Sequence, residues 1–137
     1  MVRIVTDYLE DTYRKYPNKV AFSDEHKSLT FAQVRQHAMQ IASWLIDNRI
    51  FKKPVAIYTE KSVDEVIAFL GCAYSGNFYT PIDVGMPSAR IASISETLQP
   101  EVVITRSQNI ENAMKNFGDI KIFCLEDAFC REVEVDK

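Results

Sequence analysis

Apolar residues recur along this chain at two spacings, and the alternation between them predicts its architecture. Val5, Tyr8, Leu9, Thr12 and Tyr16 fall at helical spacing. Pro17 ends that segment, because proline removes a backbone donor and turns its predecessor away from helix. Lys19–Ser23 and Ser28–Thr30 flank a polar Asp24-Glu25-His26-Lys27 turn and predict a hairpin. Thr30 and Gln33 stand in a capping-box pattern, where a hydroxyl and an amide reciprocally satisfy free backbone donors. The helix they open carries Val34, Ala38, Ile41 and Leu45 on one face, with Phe31 and Trp44 beside it.

The pattern then changes period. Pro54 opens Val55-Ala56-Ile57-Tyr58, too short for a helix and apolar on both faces, as a central parallel strand reads. Ser62 and Glu65 repeat the capping-box pattern, and Val63, Val66, Ile67, Leu70 and Tyr74 recur with helical period. Gly76 stands where a left-handed helix stop favours a residue without Cβ. Phe78–Ile82 is the next strand, and Pro87 lies near the start of a helix bearing Ile91, Ile94 and Leu98, closed by Pro100. Glu101–Thr105 is a further strand, followed by a helix over Ser107–Phe117, Gly118, and a last strand over Lys121–Leu125. Strands alternating with helices imply βαβ units. The prediction is one α/β domain over residues 1–137: a mostly parallel sheet flanked by helices, with an N-terminal helix and hairpin. The charged residues 132–137 read as a frayed tail.

Composition narrows the class. The 137 residues suffice for one domain with its own core, and 47% hydrophobic and 26% charged residues are ordinary for a soluble globular protein. A net charge of -3 with a pI near 5.4 argues against a nucleic-acid partner, and the pairs Lys52-Lys53 and Arg14-Lys15 read as solvated surface. No apolar run approaches the roughly 18 residues a membrane span needs, and the N-terminus lacks a signal-peptide block. Cys72, Cys124 and Cys130 are odd in number and without metal-ligand spacing, which places the chain in a reducing cytoplasm. Cys72 reads as a small buried hydrophobe.

Candidate chemistry is sparse. With only four glycines the chain contains no GxGxxG and no GxxxxGK loop to cradle phosphates. His26 belongs to the polar turn, and His37 beside an apolar helix face reads as structural. No serine occupies a GxSxG elbow, and neither Cys124 nor Cys130 has a nearby histidine to activate it. The acidic pairs Asp24-Glu25, Asp64-Glu65 and Glu126-Asp127 read as turns or solvated faces, and the spacing of the aromatic residues marks them as core. Asp83 is placed to bond backbone donors in the turn before Pro87, and Arg90 reads as a surface or interface charge. No residue is assigned a catalytic, cofactor-binding or metal-ligating role.

Three pieces nevertheless resemble the opening motifs of the adenylate-forming enzymes, the AMP-dependent synthetases and ligases, and occur in that family's order. Ser28-Leu29-Thr30-Phe31-Ala32-Gln33-Val34 resembles the first core motif. Lys61–Glu65 through Ala68–Gly71 resembles the helix that introduces the second. Tyr74-Ser75-Gly76-Asn77-Phe78-Tyr79-Thr80-Pro81-Ile82-Asp83 resembles the second motif itself, continued by Pro87–Ile91. The wording is similar to the amino-acid-activating branch, which holds peptide-synthetase adenylation domains and D-alanine–carrier protein ligases. Phe69–Cys72 and Val84–Pro87 tilt toward the latter, while Tyr74-Ser75 departs from the usual Lys-Ala.

The resemblance implies an ATP- and Mg2+-dependent parent enzyme. It would adenylate a carboxylate, an amino acid such as D-alanine, and pass it to the phosphopantetheine thiol of a carrier protein. The match covers only the opening part of the family's sequence, so its phosphate loop, adenine motif, ribose-binding aspartate and catalytic lysine would lie downstream of Lys137. Residues 1–137 are therefore expected to be the N-terminal subdomain of an adenylation domain. Alone they should be inactive, hold no cofactor, pack against the missing remainder, and self-associate through exposed apolar area and an unpaired strand edge. The alternative reading is a free-standing, flavodoxin-like, non-catalytic protein-binding module.

Overall fold

Helix α1 (Val5–Lys15) leads through a turn to the antiparallel hairpin β1 (Val20–Ser23) and β2 (Ser28–Thr30). This is a computed structural model, and it describes residues 5–25 and 27–129. The sequence readings on His26, Cys130 and the tail at 132–137 lie outside the described residues, as does the side chain of Val5.

Helix α2 (Phe31–Asp47) begins as the capping box requires. Thr30 Oγ1 accepts the Gln33 N–H at 3.2 Å, and Gln33 Oε1 accepts the Thr30 N–H at 2.9 Å. Val34, Ala38, Ile41 and Leu45 are wholly buried on one stripe.

Strand β3 (Pro54–Thr59), helix α3 (Val63–Tyr74), strand β4 (Phe78–Asp83), helix α4 (Ser88–Leu98) and strand β5 (Val102–Thr105) follow. A 3-10 turn (Ser107–Asn109), helix α5 (Ile110–Phe117), strand β6 (Lys121–Cys124) and a short helix α6 (Leu125–Ala128) complete the described order. The four later strands form one parallel sheet in the order β4-β3-β5-β6. Gly76 stops α3 at φ 77°, and Gln99 takes a left-handed φ of 49° before Pro100 ends α4.

Both faces of this sheet are covered, which is why β3 reads as unbroken apolar sequence. Val55 and Ile57 point to one face, packed with Ile41 and Leu45 of α2 and Ile67 and Cys72 of α3. Ala56 and Tyr58 point to the other, with Ile91 of α4 and Phe117 of α5. A third cluster, Leu9, Val34, Ala38 and Leu70, ties α1 to α2 and α3.

Three expectations are corrected. The helix predicted over Ser107–Phe117 divides, because its first turn is held by side chains from elsewhere: Asn109 Nδ2 donates to Glu60, and the Ser107 N–H to Glu126. Leu125 starts α6 rather than ending a strand, so that its side chain enters the first core cluster. Several aromatics assigned to the core are exposed, among them Tyr8, Tyr16, Phe51, Phe78 and Tyr79. Phe78 and Tyr79 lie on β4, an edge strand of the sheet, and α1 buries Leu9 while Tyr8 faces outward.

Candidate functional site

Adjacent strands β3 and β5 send their chains in opposite directions. From β3 the chain crosses one face through α3 to β4, and from β5 it crosses the other through α5 to β6. The connections diverge and open a crevice outside the carboxyl ends of the two strands, the place where open α/β sheets take ligands. Here it holds a cavity of about 420 Å³ bounded by Asp24, Glu60, Ser62 and Arg106. A second of about 340 Å³ adjoins Asp24, Lys27, Asp64 and Arg106.

Charged groups from three elements meet there. Ser62 is the N-cap of α3: its Oγ accepts the Glu65 N–H at 3.3 Å and donates to the Glu60 carbonyl at 3.2 Å. Asp64, in the first turn of that helix, is only 3% exposed, yet it carries a carboxylate. Two cations reach it, Lys27 Nζ at 2.9 Å from the hairpin and Arg106 Nε at 3.4 Å from the end of β5. Asp24, also from the hairpin turn, accepts the Val63 N–H at 2.8 Å and the Lys27 N–H at 3.0 Å.

Two further acids, Glu60 and Glu126, are equally engaged. Glu60 accepts from Thr59, Gln108 and Asn109, each at 3.3 Å. Burial raises its pKa, but the backbone bond and the hydroxyl and amide donors outweigh that and leave it below the usual carboxylate value. Glu126 accepts the Ser107 hydroxyl at 2.6 Å, the Ser107 N–H at 3.1 Å and the Cys124 thiol at 3.1 Å. Burial opposes its ionisation, but these donors hold its pKa at about 2.

Reading the acidic pairs as turns or solvated faces holds for Asp24, which sits in the hairpin turn, and fails for Asp64 and Glu126. Asp24, Asp64 and Glu126 are tertiary anchors, and with Lys27 and Arg106 they were missed as a group. Asp64 in a first helical turn beside a strand end was a local signal for a dipole-complementing acid. Nothing local told of its burial, because its partner Lys27 lies 37 residues away.

No reactive centre emerges from the other candidates. Burial pushes the Cys72 thiol up to about 12, and burial together with Glu126 raises Cys124, so neither offers a thiolate near neutrality. His37 Nδ1 lies 2.8 Å from the Gln40 amide oxygen, with its ring 4.6 Å from that of Phe129. Among the described residues no group of three His, Cys, Asp or Glu side chains is placed to hold a metal ion, and no helix is long and apolar enough to cross a membrane.

Outside the crevice, the motif residues have structural roles. Asp83 Oδ1 accepts the Gly85 N–H at 2.7 Å, the turn bond predicted for it. Arg90 is exposed in the first turn of α4. Tyr74 donates its hydroxyl to Glu10 at 2.7 Å, and the same carboxylate takes Arg35 Nε at 2.7 Å, so that α1, α2 and α3 meet at one polar knot. Burial and the Glu10 bond raise the Tyr74 hydroxyl above its ordinary pKa.

Comparison with known proteins adds the context this geometry lacks. The model of the AMP-binding enzyme family matches residues 9–135. Among curated proteins, gramicidin S synthase 1 of Brevibacillus brevis is 32% identical over 125 residues, 88% of this chain and 11% of that protein. The D-alanine–D-alanyl carrier protein ligase of Staphylococcus haemolyticus (strain JCSC1435) is 26% identical over 124 residues, 90% of this chain and 25% of that protein. The chain thus spans a quarter or less of the length of these relatives. The crystal structure of VinN superposes on 96% of this chain with a TM-score of 0.83 at 18% identity, using 39% of the VinN chain. The α-methyl-L-serine-AMP-bound form of the nonribosomal peptide synthetase FmoA3 gives 0.86 at 20% identity, over 96% of this chain and 15% of that one. At these identities the superpositions establish the fold.

Proposed function

This chain belongs to the AMP-binding enzyme family, and from that premise we propose that residues 1–137 are the opening scaffold of an ATP-dependent, AMP-forming ligase. Such a ligase joins a carboxylate, here an amino acid such as D-alanine, to AMP with release of pyrophosphate. It then hands the acyl group to the phosphopantetheine thiol of a carrier protein in the cytoplasm. The family match across residues 9–135 carries the reading. Similarity to peptide synthetases and carrier-protein ligases alike supports amino-acid activation as the branch.

Within that enzyme these residues position the rest and do no bond-making. ATP and Mg2+ do not fit the described residues. A triphosphate needs converging backbone N–H groups and uncommitted cations. Here the crevice presents the acids Asp24, Glu25, Glu60 and Asp64 against three cations, of which Lys27 and Arg106 already serve Asp64 and Lys61 lies exposed at the rim. What the chain supplies is a rigid parallel sheet, a helix stop at Gly76 and a turn pinned by Asp83, against which further polypeptide packs. The sheet order alone would equally suit a flavodoxin-like module, so fold does not decide between the readings; the family match supports the ligase.

The test is amino-acid-dependent exchange of labelled pyrophosphate into ATP. The 137-residue chain should give none. A product of the same reading frame that extends through a Ser/Thr/Gly-rich loop and a C-terminal lysine should give robust exchange. Exchange by the 137-residue chain would overturn the scaffold assignment, and a silent extended product, tried with all amino acids, would overturn the substrate class.

A further inference from the structure

Doubly wound sheets commonly hold an anionic ligand at the N-terminus of a helix bordering the switch point, where free backbone donors and the helix dipole face the crevice. In this chain that helix is α3, and its Val63 N–H already has an anion: the Asp24 carboxylate at 2.8 Å. Asp24 belongs to no strand or helix of the βαβ unit and comes from 39 residues upstream in the hairpin turn. Its second oxygen takes the Lys27 N–H at 3.0 Å, and the Asp24 N–H donates to the Lys27 carbonyl at 2.9 Å, so the turn that presents it is fixed. Lys27 then reaches Asp64 on the same helix at 2.9 Å. One hydrogen bond and one ion pair, from two residues of the turn, fasten the hairpin to α3.

We propose that the hairpin turn is a built-in plug for the switch-point crevice. Asp24 takes the α3 N-terminal donor that the carboxylate or phosphate of a ligand takes in other sheets of this kind, which leaves the adjoining cavity without that anchor for a nucleotide phosphate. The site serves instead to hold β1, β2 and the start of α2 against the sheet. Lys27 and Arg106 together offset Asp64 and Asp24, so this cluster of four needs no outside ion. The assignment uses only contacts within the chain and stands whether or not the adenylation reading holds.

The experiment compares thermal unfolding of the 137-residue wild type, Asp24→Ala and Asp24→Asn in sodium chloride and in sodium formate at equal ionic strength. Asp24→Ala should melt about 3–8 °C below wild type in chloride. It should recover much of that loss in formate, a free carboxylate small enough to replace the missing one, while wild type holds steady. Asp24→Asn, whose amide oxygen still accepts the Val63 N–H, should fall less and gain nothing. Equal melting of Asp24→Ala and wild type, or a formate gain shared by both, would overturn the proposal. Should Asp24→Ala fail to fold, hydrogen exchange at the Val63 amide decides. Strong protection of that amide in wild type, kept in Asp24→Asn, supports the plug, and exchange of the wild-type Val63 amide at the rate of a free amide refutes it. Inorganic phosphate or ATP that shifts the Val63 and Arg106 amide resonances of wild type would also refute it.

Discussion

Gly71 lets the backbone of α3 approach α2 closely. A Cβ there would lie 2.6 Å from both Cβ and Cγ2 of Ile41 and 3.2 Å from the Ala38 carbonyl oxygen. Alanine would gain about 1 kcal/mol in helix propensity over glycine. The atoms it meets, however, belong to a branched, wholly buried side chain fixed directly on α2, which cannot swing aside. Overpacking of this kind costs about 1–3 kcal/mol and wins. Gly71→Ala should therefore lower the urea midpoint without changing the slope of the unfolding transition. An unchanged midpoint would mean that α2 and α3 separate freely at this contact.

At the level of elements, Glu126 joins α6 to the turn that opens α5, and its charge has a stated pH range. Its folded pKa, about 2, lies below the ordinary carboxylate value of roughly 4.3. The stabilisation is therefore complete above that ordinary value and is lost as pH falls toward 2. Unfolding free energy measured against pH should decline through this window in wild type and decline less steeply in Glu126→Gln; parallel curves would remove Glu126 from the acid response. This link also marks the boundary of what local sequence conveys. The Thr30–Gln33 cap, the buried run of β3 and the Gly76 stop depend on neighbours within a few residues, and each was legible. The division of the helix at Ser107–Phe117 depends on Glu60 and Glu126, and the burial of Asp64 on Lys27 and Arg106, all from other elements. Apolar period cannot report such partners, because a carboxylate reads the same whether it meets water or a guanidinium.

For the molecule as a whole, the uncovered aromatics on β4, Phe78 at 63% and Tyr79 at 40% exposed, are the apolar surface to watch. Tyr79 stacks only on Phe69, at 4.9 Å between ring centroids among the described ring pairs. Sedimentation velocity at rising concentration should show reversible dimers or higher oligomers, weakened in Phe78→Ser with Tyr79→Ser; a monomer at every concentration would refute this. The manner of that association follows from Pro81. The Phe78 N–H bonds to the Lys53 carbonyl, so alternation turns Phe78, Thr80 and Ile82 toward β3 and leaves Pro81 facing out from the sheet. The middle rung of that outer margin has no hydrogen to give. At this margin crowded copies can therefore press ring against ring but are hindered from zipping strand to strand, and material that associates through β4 should be amorphous, without the 4.7 Å repeat of a cross-β fibre.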